Sequence, residues 1–353
     1  MAATAKDVAI LAEVSVGTVS RVFNKHDNVN EELKQRVLKA AAEIGYFGPS
    51  SSSTRTGSSS ERKLKEIGFW LTLDSDEDTS IDPFWAKILH GADSEAHKYD
   101  INVTYRGIRN ISQNPFILSA RLREMQPGGV MLVGPSEPDL INFIQSTNTP
   151  LVLVDNFAPR QAVDAVLCDN FEGARLAVEY LITLGHARIA FIGGPLAEGS
   201  GRPVNKIYPI ERRAAGYRTA LLDAGYNMDY TLYEACNLTP EGGYEACKRL
   251  LAGKAPFSAI FCANDKTAIG AMKALREADL QVPGDVSVIG FDDIEMAEHL
   301  TPALTTVRIN KEAMGAVAVD RLISRASNPE QVNVTVTLGV DLIKRQSVAP
   351  YRS

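Results

Sequence analysis

The chain has 353 residues, 45% of them hydrophobic, enough to bury large cores and to form two or three domains. Its net charge of −6 seems to argue against a nucleic-acid partner, but residues 1–65 carry 10 Lys and Arg against 7 Asp and Glu, so a basic head sits on an acidic remainder. No apolar run can span a membrane, and Asp7 and Glu13 interrupt any secretory pattern, so a cytoplasmic location is expected.

Residues Lys6 to Asn24 read KDVAILAEVSVGTVSRVFN. Val8, Ala9 and Ala12 share one helical face, Val14 and Ser15 form a turn, and Val19, Val22 and Phe23 give a second apolar stripe. Ser15 is placed as the N-cap of the second helix. Val16, Gly17, Thr18, Ser20 and Arg21 then face outward, a slim surface suited to a major groove ~12 Å wide. Periodicity alone is equally compatible with an ordinary helical hairpin. The string V-S-x-x-T-V-S-R-V resembles the lactose-repressor/galactose-repressor family of bacterial transcription regulators, and the matching pattern covers the chain except its linker.

The resemblance implies double-stranded operator DNA as partner. Thr4, Ser15, Thr18, Ser20 and Asn24 fall at the family's phosphate-contacting positions, and Arg21 falls where a guanidinium reaches a guanine edge. Val16 and Gly17 occupy the pair that varies between members and helps set operator sequence. Glu13 stands in the turn where the family has glycine, at a cost of roughly 1 kcal/mol if its φ is positive.

A third helix is predicted over Glu31 to Ile44, completing a head over residues 1–48. Residues 49–65 (beginning PSSSSTRTGSSSE) read as a Ser-rich linker. Family members carry there a hinge helix whose leucine wedges into the minor groove. Arg55 holds a similar position, as a minor-groove contact or a solvated linker charge, but Thr56 and Gly57 follow it and no leucine precedes Leu64.

From Glu66, apolar strand-like runs at Ile67, Gly129, Pro150, Arg188, Ala259 and Val286 alternate with amphipathic helical stretches. This predicts βαβ units and an α/β body over 66–353 built as two similar parallel-sheet lobes. The first lobe is expected over about 66–158 and 292–326, the second over about 163–290 and 328–353, with Pro159 marking the first crossover. The resemblance implies the same architecture, like a periplasmic sugar-binding protein, with a small-molecule effector between the lobes and homodimeric assembly. The chain ends without a leucine-heptad tail, so tetramers through a C-terminal coiled coil are not expected.

Within that body, Asp82-Pro83-Phe84-Trp85 resembles the family's opening of the first helix, with Phe84 and Trp85 as a stacking platform or as core. Arg213 stands three residues before Gly216, as does the family's effector-binding arginine. Asn264 and Asp292 end two strand-like runs, at the edge where open α/β sheets place ligands. Asp155 ends another, and Leu238 occupies a position that is aromatic in some relatives. Acceptors, one guanidinium and an aromatic face suit a polyol, so a sugar or sugar derivative is expected, with a purine or other non-sugar corepressor as the alternative. Arg213 and Asp292 are expected to grip it from opposite lobes.

No catalytic pattern competes. Gly193-Gly194 lacks a GxGxxG or Walker context, the histidines lack HExxH spacing, and no G-x-S-x-G elbow occurs. The four cysteines show no CxxC spacing and read as free, mostly buried thiols, so no metal and no cofactor are expected. The expected protein is a ligand-responsive transcription regulator, a repressor rather than an enzyme.

Overall fold

The computed structural model describes residues 4–23, 30–43, 46, 64–72, 81–108, 127–136, 138–194, 207–253 and 255–352. Three helices form the head: α1 (Ala5–Leu11), α2 (Val16–Phe23) and α3 (Glu31–Glu43). Val8, Val19, Val22 and Val37 make its core, closed by an edge-on contact between Phe23 and Tyr46 at 5.4 Å. Asn24 and the linker with Arg55 lie outside the described residues.

The body begins with β1 (Glu66–Leu71), α4 (Pro83–His97), β2 (Asn102–Gly107), β3 (Gly129–Val133), α5 (Pro138–Ser146), β4 (Leu151–Val154) and β5 (Asp164–Cys168). It continues through α6 (Asn170–Thr183), β6 (Ile189–Gly193), α7 (Tyr208–Asp223), β7 (Tyr233–Ala235), α8 (Pro240–Ala252), β8 (Ala259–Cys262), α9 (Asp265–Glu277) and β9 (Ser287–Ile289). Last come α10 (Met296–His299), β10 (Thr306–Ile309), α11 (Lys311–Ser327), β11 (Thr335–Leu338) and β12 (Val340–Ile343). Runs such as GVMLV and AIFC are buried along their whole length, as strands covered on both faces must be.

Two parallel sheets result. The first runs β11-β5-β4-β3-β1-β2, the second β7-β6-β8-β9, and β10 pairs with β12 as an antiparallel ribbon. These pairings move the crossovers away from the positions the sequence suggested. Asp164–Cys168 pairs with β4 in the first sheet, so the chain leaves that sheet after Cys168 and not at 157–163. Pro159 lies in the turn between β4 and β5, closed by Gln161 N–H donating to Ala158 O. After Asp292 the backbone still follows the second sheet, through bridges from Ile289 to Thr305 and from Asp292 to Arg308. It returns to the first sheet at Asn310, whose side chain caps α11. The run VTVTLGVDLI is two strands: β11 belongs to the first sheet, and the chain crosses back at Gly339, not at 328.

The return helix α11 packs against α4 backbone to backbone. A Cβ on Gly91 would meet Glu312 O at 2.0 Å, and one on Gly315 would meet Ile88 O at 2.0 Å, so these positions accept only glycine. At the other end of α11, Arg325 and Arg321 reach the fully buried Asp164 carboxylate at 2.8 and 3.1 Å, and Val334 N–H donates to it at 2.7 Å. Burial alone would raise the Asp164 pKa, but Arg325, the Val334 amide and Arg321 together hold it below the usual carboxylate range.

Removing this carboxylate takes the counter-charge from two largely buried guanidiniums, although Arg325 keeps bonds to the carbonyls of Pro329 and Gln331. Asp164→Ala should lower stability by about 3–5 kcal/mol, read by chemical denaturation at neutral pH. The wild-type contribution should fade as acid carries the pH through the depressed folded pKa.

Candidate effector cleft and nucleic-acid interface

In the head, the Thr4 hydroxyl and backbone N–H both bond Asp7 Oδ2, at 2.6 and 2.8 Å, in a capping box that starts α1. Ser15 Oγ accepts from Thr18 N–H at 3.1 Å and lies 2.9 Å from the Thr18 hydroxyl, starting α2. Glu13 adopts φ 54°, so the turn does hold a non-glycine residue in the left-handed region. Arg36, which the sequence pattern did not single out, donates to Ala12 O at 2.7 Å and fastens that turn to α3. Val16, Gly17, Ser20 and Arg21 are exposed and Thr18 is half-buried, so the expected reading face is presented to solvent.

In the body, the candidate residues meet at the carboxyl ends of parallel strands. Arg213, on α7, is 3% exposed. Its Nε donates to Asn170 Oδ1 at 2.7 Å and a terminal nitrogen donates to Ala263 O at 2.5 Å. Its guanidinium lies 3.7 Å over the Phe291 ring. The remaining nitrogen approaches Asp292 Oδ1 at 3.0 Å as a charge contact, off the line of an aligned hydrogen bond. Gly216 makes this reach possible: a Cβ there would meet Phe171 O at 2.2 Å and push α7 off α6.

Arg213 and Asp292 therefore do not face one another from opposite lobes. Both stand on the second-sheet side and pair directly. The first sheet contributes Asp155 at the end of β4, whose charge couples to both of them. Asp155 Oδ1 and Asn156 Nδ2 are buried with no hydrogen-bond partner among the described residues. Burial pushes the Asp155 carboxyl up to about 7; Arg213 opposes that shift and Asp292 adds to it. Burial likewise raises the Asp292 pKa against the pull of Arg213 and Lys311. Burial works to discharge Arg213, but the opposing charges, Asp292 first, outweigh it and keep the guanidinium charged.

The other expected members take different roles. Asn264 Oδ1 accepts from Thr267 N–H at 2.8 Å to cap α9, and its Nδ2 donates to Leu238 O at 3.0 Å. The Asn264 side chain thus holds two backbone segments in place. Leu238 sits at φ 64° and is partly buried against the core. Trp85 is a core side chain, whereas Phe84, edge-on to it at 4.6 Å, is only half-buried. Asp82 caps α4 and forms an ion pair with Lys266 on α9, joining the two sheets' helices. The sequence pattern does not single out Asn156, Asn170, Phe291 or Lys311; Asn156 and Phe291 adjoin Asp155 and Asp292, while Asn170 meets Arg213 from 43 residues away. His186 is structural, bonded to Ser258 Oγ and Ala349 O, and its pKa is lowered chiefly by burial.

A polar cavity of about 440 Å3 opens beside this cluster, lined by residues including Lys87, Asp293, Asn310, Asp341 and Arg345. None of the expected effector residues lines it. Its Asp293 is already bridged by Arg308 and Arg345 at 2.7 and 2.8 Å, and none of its polar side chains is left buried without a partner. Of the six buried unpartnered side-chain atoms among the described residues, Asp155 Oδ1, Asn156 Nδ2 and Asp292 Oδ1 belong to the strand ends around Arg213, and Gln161, Arg321 and Gln331 lie outside both places.

Known proteins share the architecture of a helical head and a two-sheet body. A model of bacterial regulatory proteins of the lacI family matches residues 4–48, and one of a periplasmic binding protein-like domain matches residues 178–348. The chain is 34% identical to the HTH-type transcriptional repressor PurR of Erwinia tasmaniensis, over 99% of this chain and 98% of that protein. The solved complex of the transcriptional regulator CelR with cellobiose superposes with a TM-score of 0.73 at 29% identity, covering 98% of this chain and 99% of that one. The lac repressor dimer bound to operator and an anti-inducer gives 0.68 at 25%, covering 99% and 100%.

Asp155→Asn keeps the shape and suits φ 53°, while removing the titration. With a folded pKa of about 7 against the ordinary 3.8, the wild-type group contributes stability at low pH that is lost as pH rises through 7. The stability difference, variant minus wild type, should therefore grow between pH 4 and 7, by up to about 1.4 kcal/mol per pH unit in urea denaturation.

Proposed function

Because the chain belongs to the lacI family of bacterial regulatory proteins, we propose that it is a ligand-responsive repressor whose paired heads bind operator DNA. The effector is a sugar or sugar derivative seated at the Arg213 cluster, between the two sheets. The observation that carries this reading is the set of unmet hydrogen-bonding atoms there. Among the described residues Asp155 Oδ1 has no partner and Asp292 Oδ1 has only a charge contact, so both can accept ligand hydroxyl hydrogens; Asn156 Nδ2 can donate to a ligand oxygen. Half-buried Phe84 offers an apolar face beside them. Buried polar atoms left unpaired cost about 1–3 kcal/mol each, and a polyol would relieve that cost.

The complementarity also argues against catalysis. The cluster holds no activated nucleophile: burial pushes the Cys168 thiol up to about 12, away from thiolate. It binds and discriminates. The relatives' complexes support the same assignment, one with cellobiose and one with operator DNA as a dimer. A homodimer would set its heads against a near-palindromic operator, and ligand occupancy would alter their separation by favouring one arrangement of the sheets.

Two experiments test this reading. A thermal-shift screen of mono- and oligosaccharides, cellobiose among them, together with phosphorylated sugars and nucleobases, should yield a sugar that stabilises the wild type. A ligand at a hundred times its dissociation constant adds about 2.7 kcal/mol. Arg213→Met should abolish that shift, and a hit confined to nucleobases would replace the sugar assignment. In the head, Arg21→Ala should cost about 1–3 kcal/mol of operator affinity and flatten preference at one base pair in mobility-shift assays. Unchanged affinity and preference would overturn the assignment of α2.

A further inference from the structure

Lys311 is the first residue of α11 and is 4% exposed. A buried cation at a helix N-terminus stands at the wrong end of the helix dipole and away from water, so something specific must hold it. Burial lowers its pKa, while Asp292, Asp265 and Asp293 oppose that shift. Its Nζ donates to the main-chain carbonyl of Asp292 and, at 3.3 Å, to that of Asp293. The Phe84 ring lies 5.7 Å from the same ammonium.

Those two aspartates are consecutive residues in the left-handed region, with φ 104° and 49°. Such a pair persists only where its surroundings over-determine it. Asp293 is fixed through its carboxylate by Arg308 and Arg345. The Asp292 carboxylate makes, among the described residues, only the charge contact to Arg213, and its backbone is held by its amide bond to Val307 O and by Lys311 at its carbonyl. The Lys311 bond is a side-chain contact that reaches this carbonyl from α11. Lys311 also joins two bodies: α11 packs on α4 and the first sheet, while Asp292 and Asp293 follow β9 of the second. The Gly91 and Gly315 contacts lock α11 to α4, so a shift of Lys311 is carried to the helix that bears Phe84.

We propose that Lys311 is a positioning residue of the effector cleft, a strut that holds the strained Asp292–Asp293 backbone and ties it to the α4–α11 helix pair. The proposal rests on the reading of this cleft as the effector site. Two full-length variants test it: Lys311→Met, which keeps length and removes the donors, and Lys311→Arg, which restores them. The amides of Asp292 and Ile294 are hydrogen-bonded to Val307 O and Asp265 Oδ2, so hydrogen exchange there reports on the strut without any ligand.

In the free protein, Lys311→Met should speed exchange of the peptide spanning Phe291 to Ile294 at least tenfold, with the β8 peptide unchanged and Lys311→Arg close to wild type. Exchange within twofold of wild type in Lys311→Met would overturn the proposal. With cellobiose as probe, Lys311→Met should also weaken calorimetric affinity at least tenfold, and Lys311→Arg should recover most of the loss. Equal cellobiose affinity in wild type and Lys311→Met would contradict the role in the cleft. If exchange responds as expected but the wild type binds no sugar, the effector reading falls while the strut stands.

Discussion

The body of this protein is organised around a guanidinium that has been taken out of water. Arg213 is held on every side: by the Asn170 amide, the Ala263 carbonyl, the face of Phe291 and the Asp292 carboxylate. These four groups come from three strand ends: Asn170 follows β5, Ala263 follows β8, and Phe291 and Asp292 follow β9. A buried charge is tolerated only where its donors are met and a counter-charge is near. The strand ends must therefore meet around Arg213 in one arrangement. Asp155 from the other sheet then shares the Arg213 charge with Asp292, and burial pushes both carboxyls toward protonation against it. This frustration makes the cluster receptive: ligand hydroxyls would satisfy acceptors that the protein's own groups do not.

The two sheets are held together around that cluster by contacts of unequal strength. The Asp82–Lys266 ion pair is partly exposed to solvent, and such pairs contribute little, about 0–1 kcal/mol. The Lys311 contact is buried and directed at backbone carbonyls. Three chain crossings, after Cys168, at Asn310 and at Gly339, carry the covalent connection. A body joined by narrow crossings and modest polar bridges can exist in two arrangements that a ligand discriminates, which is the physical requirement for allosteric control.

Much of this was legible in the sequence, for identifiable reasons. Uninterrupted apolar runs such as GVMLV and AIFC bury both faces, so they read as parallel strands. The head read clearly because Ser15, Val19 and Val22 encode a cap and an apolar stripe within eight residues. The crossovers did not read, because a strand's sheet membership is decided by its partners. Asp164–Cys168 looks the same in sequence whichever sheet it joins. Pro159 signalled a turn, and a turn is what it makes, but inside one sheet. Motif spacing and strand ends single out Arg213, Asp155 and Asp292, and the fold brings these three together. Asn264 was assigned a ligand contact, yet its amide is committed to capping α9 and to Leu238. Lys311 and Arg36 carried no local signal, since both act on backbone carbonyls distant in sequence.

The unmet atoms around Arg213 are the proposed binding partners of the effector. The most direct measurement is a crystal structure of the full chain with the sugar that stabilises it in solution. The account predicts ligand hydroxyls within hydrogen-bond distance of the Asp155 and Asp292 carboxylates, a ligand oxygen near Asn156 Nδ2, and Phe84 against the ring. Density for the sugar in the neighbouring cavity of Lys87, Asp341 and Arg345, with the Arg213 cluster unchanged, would contradict it.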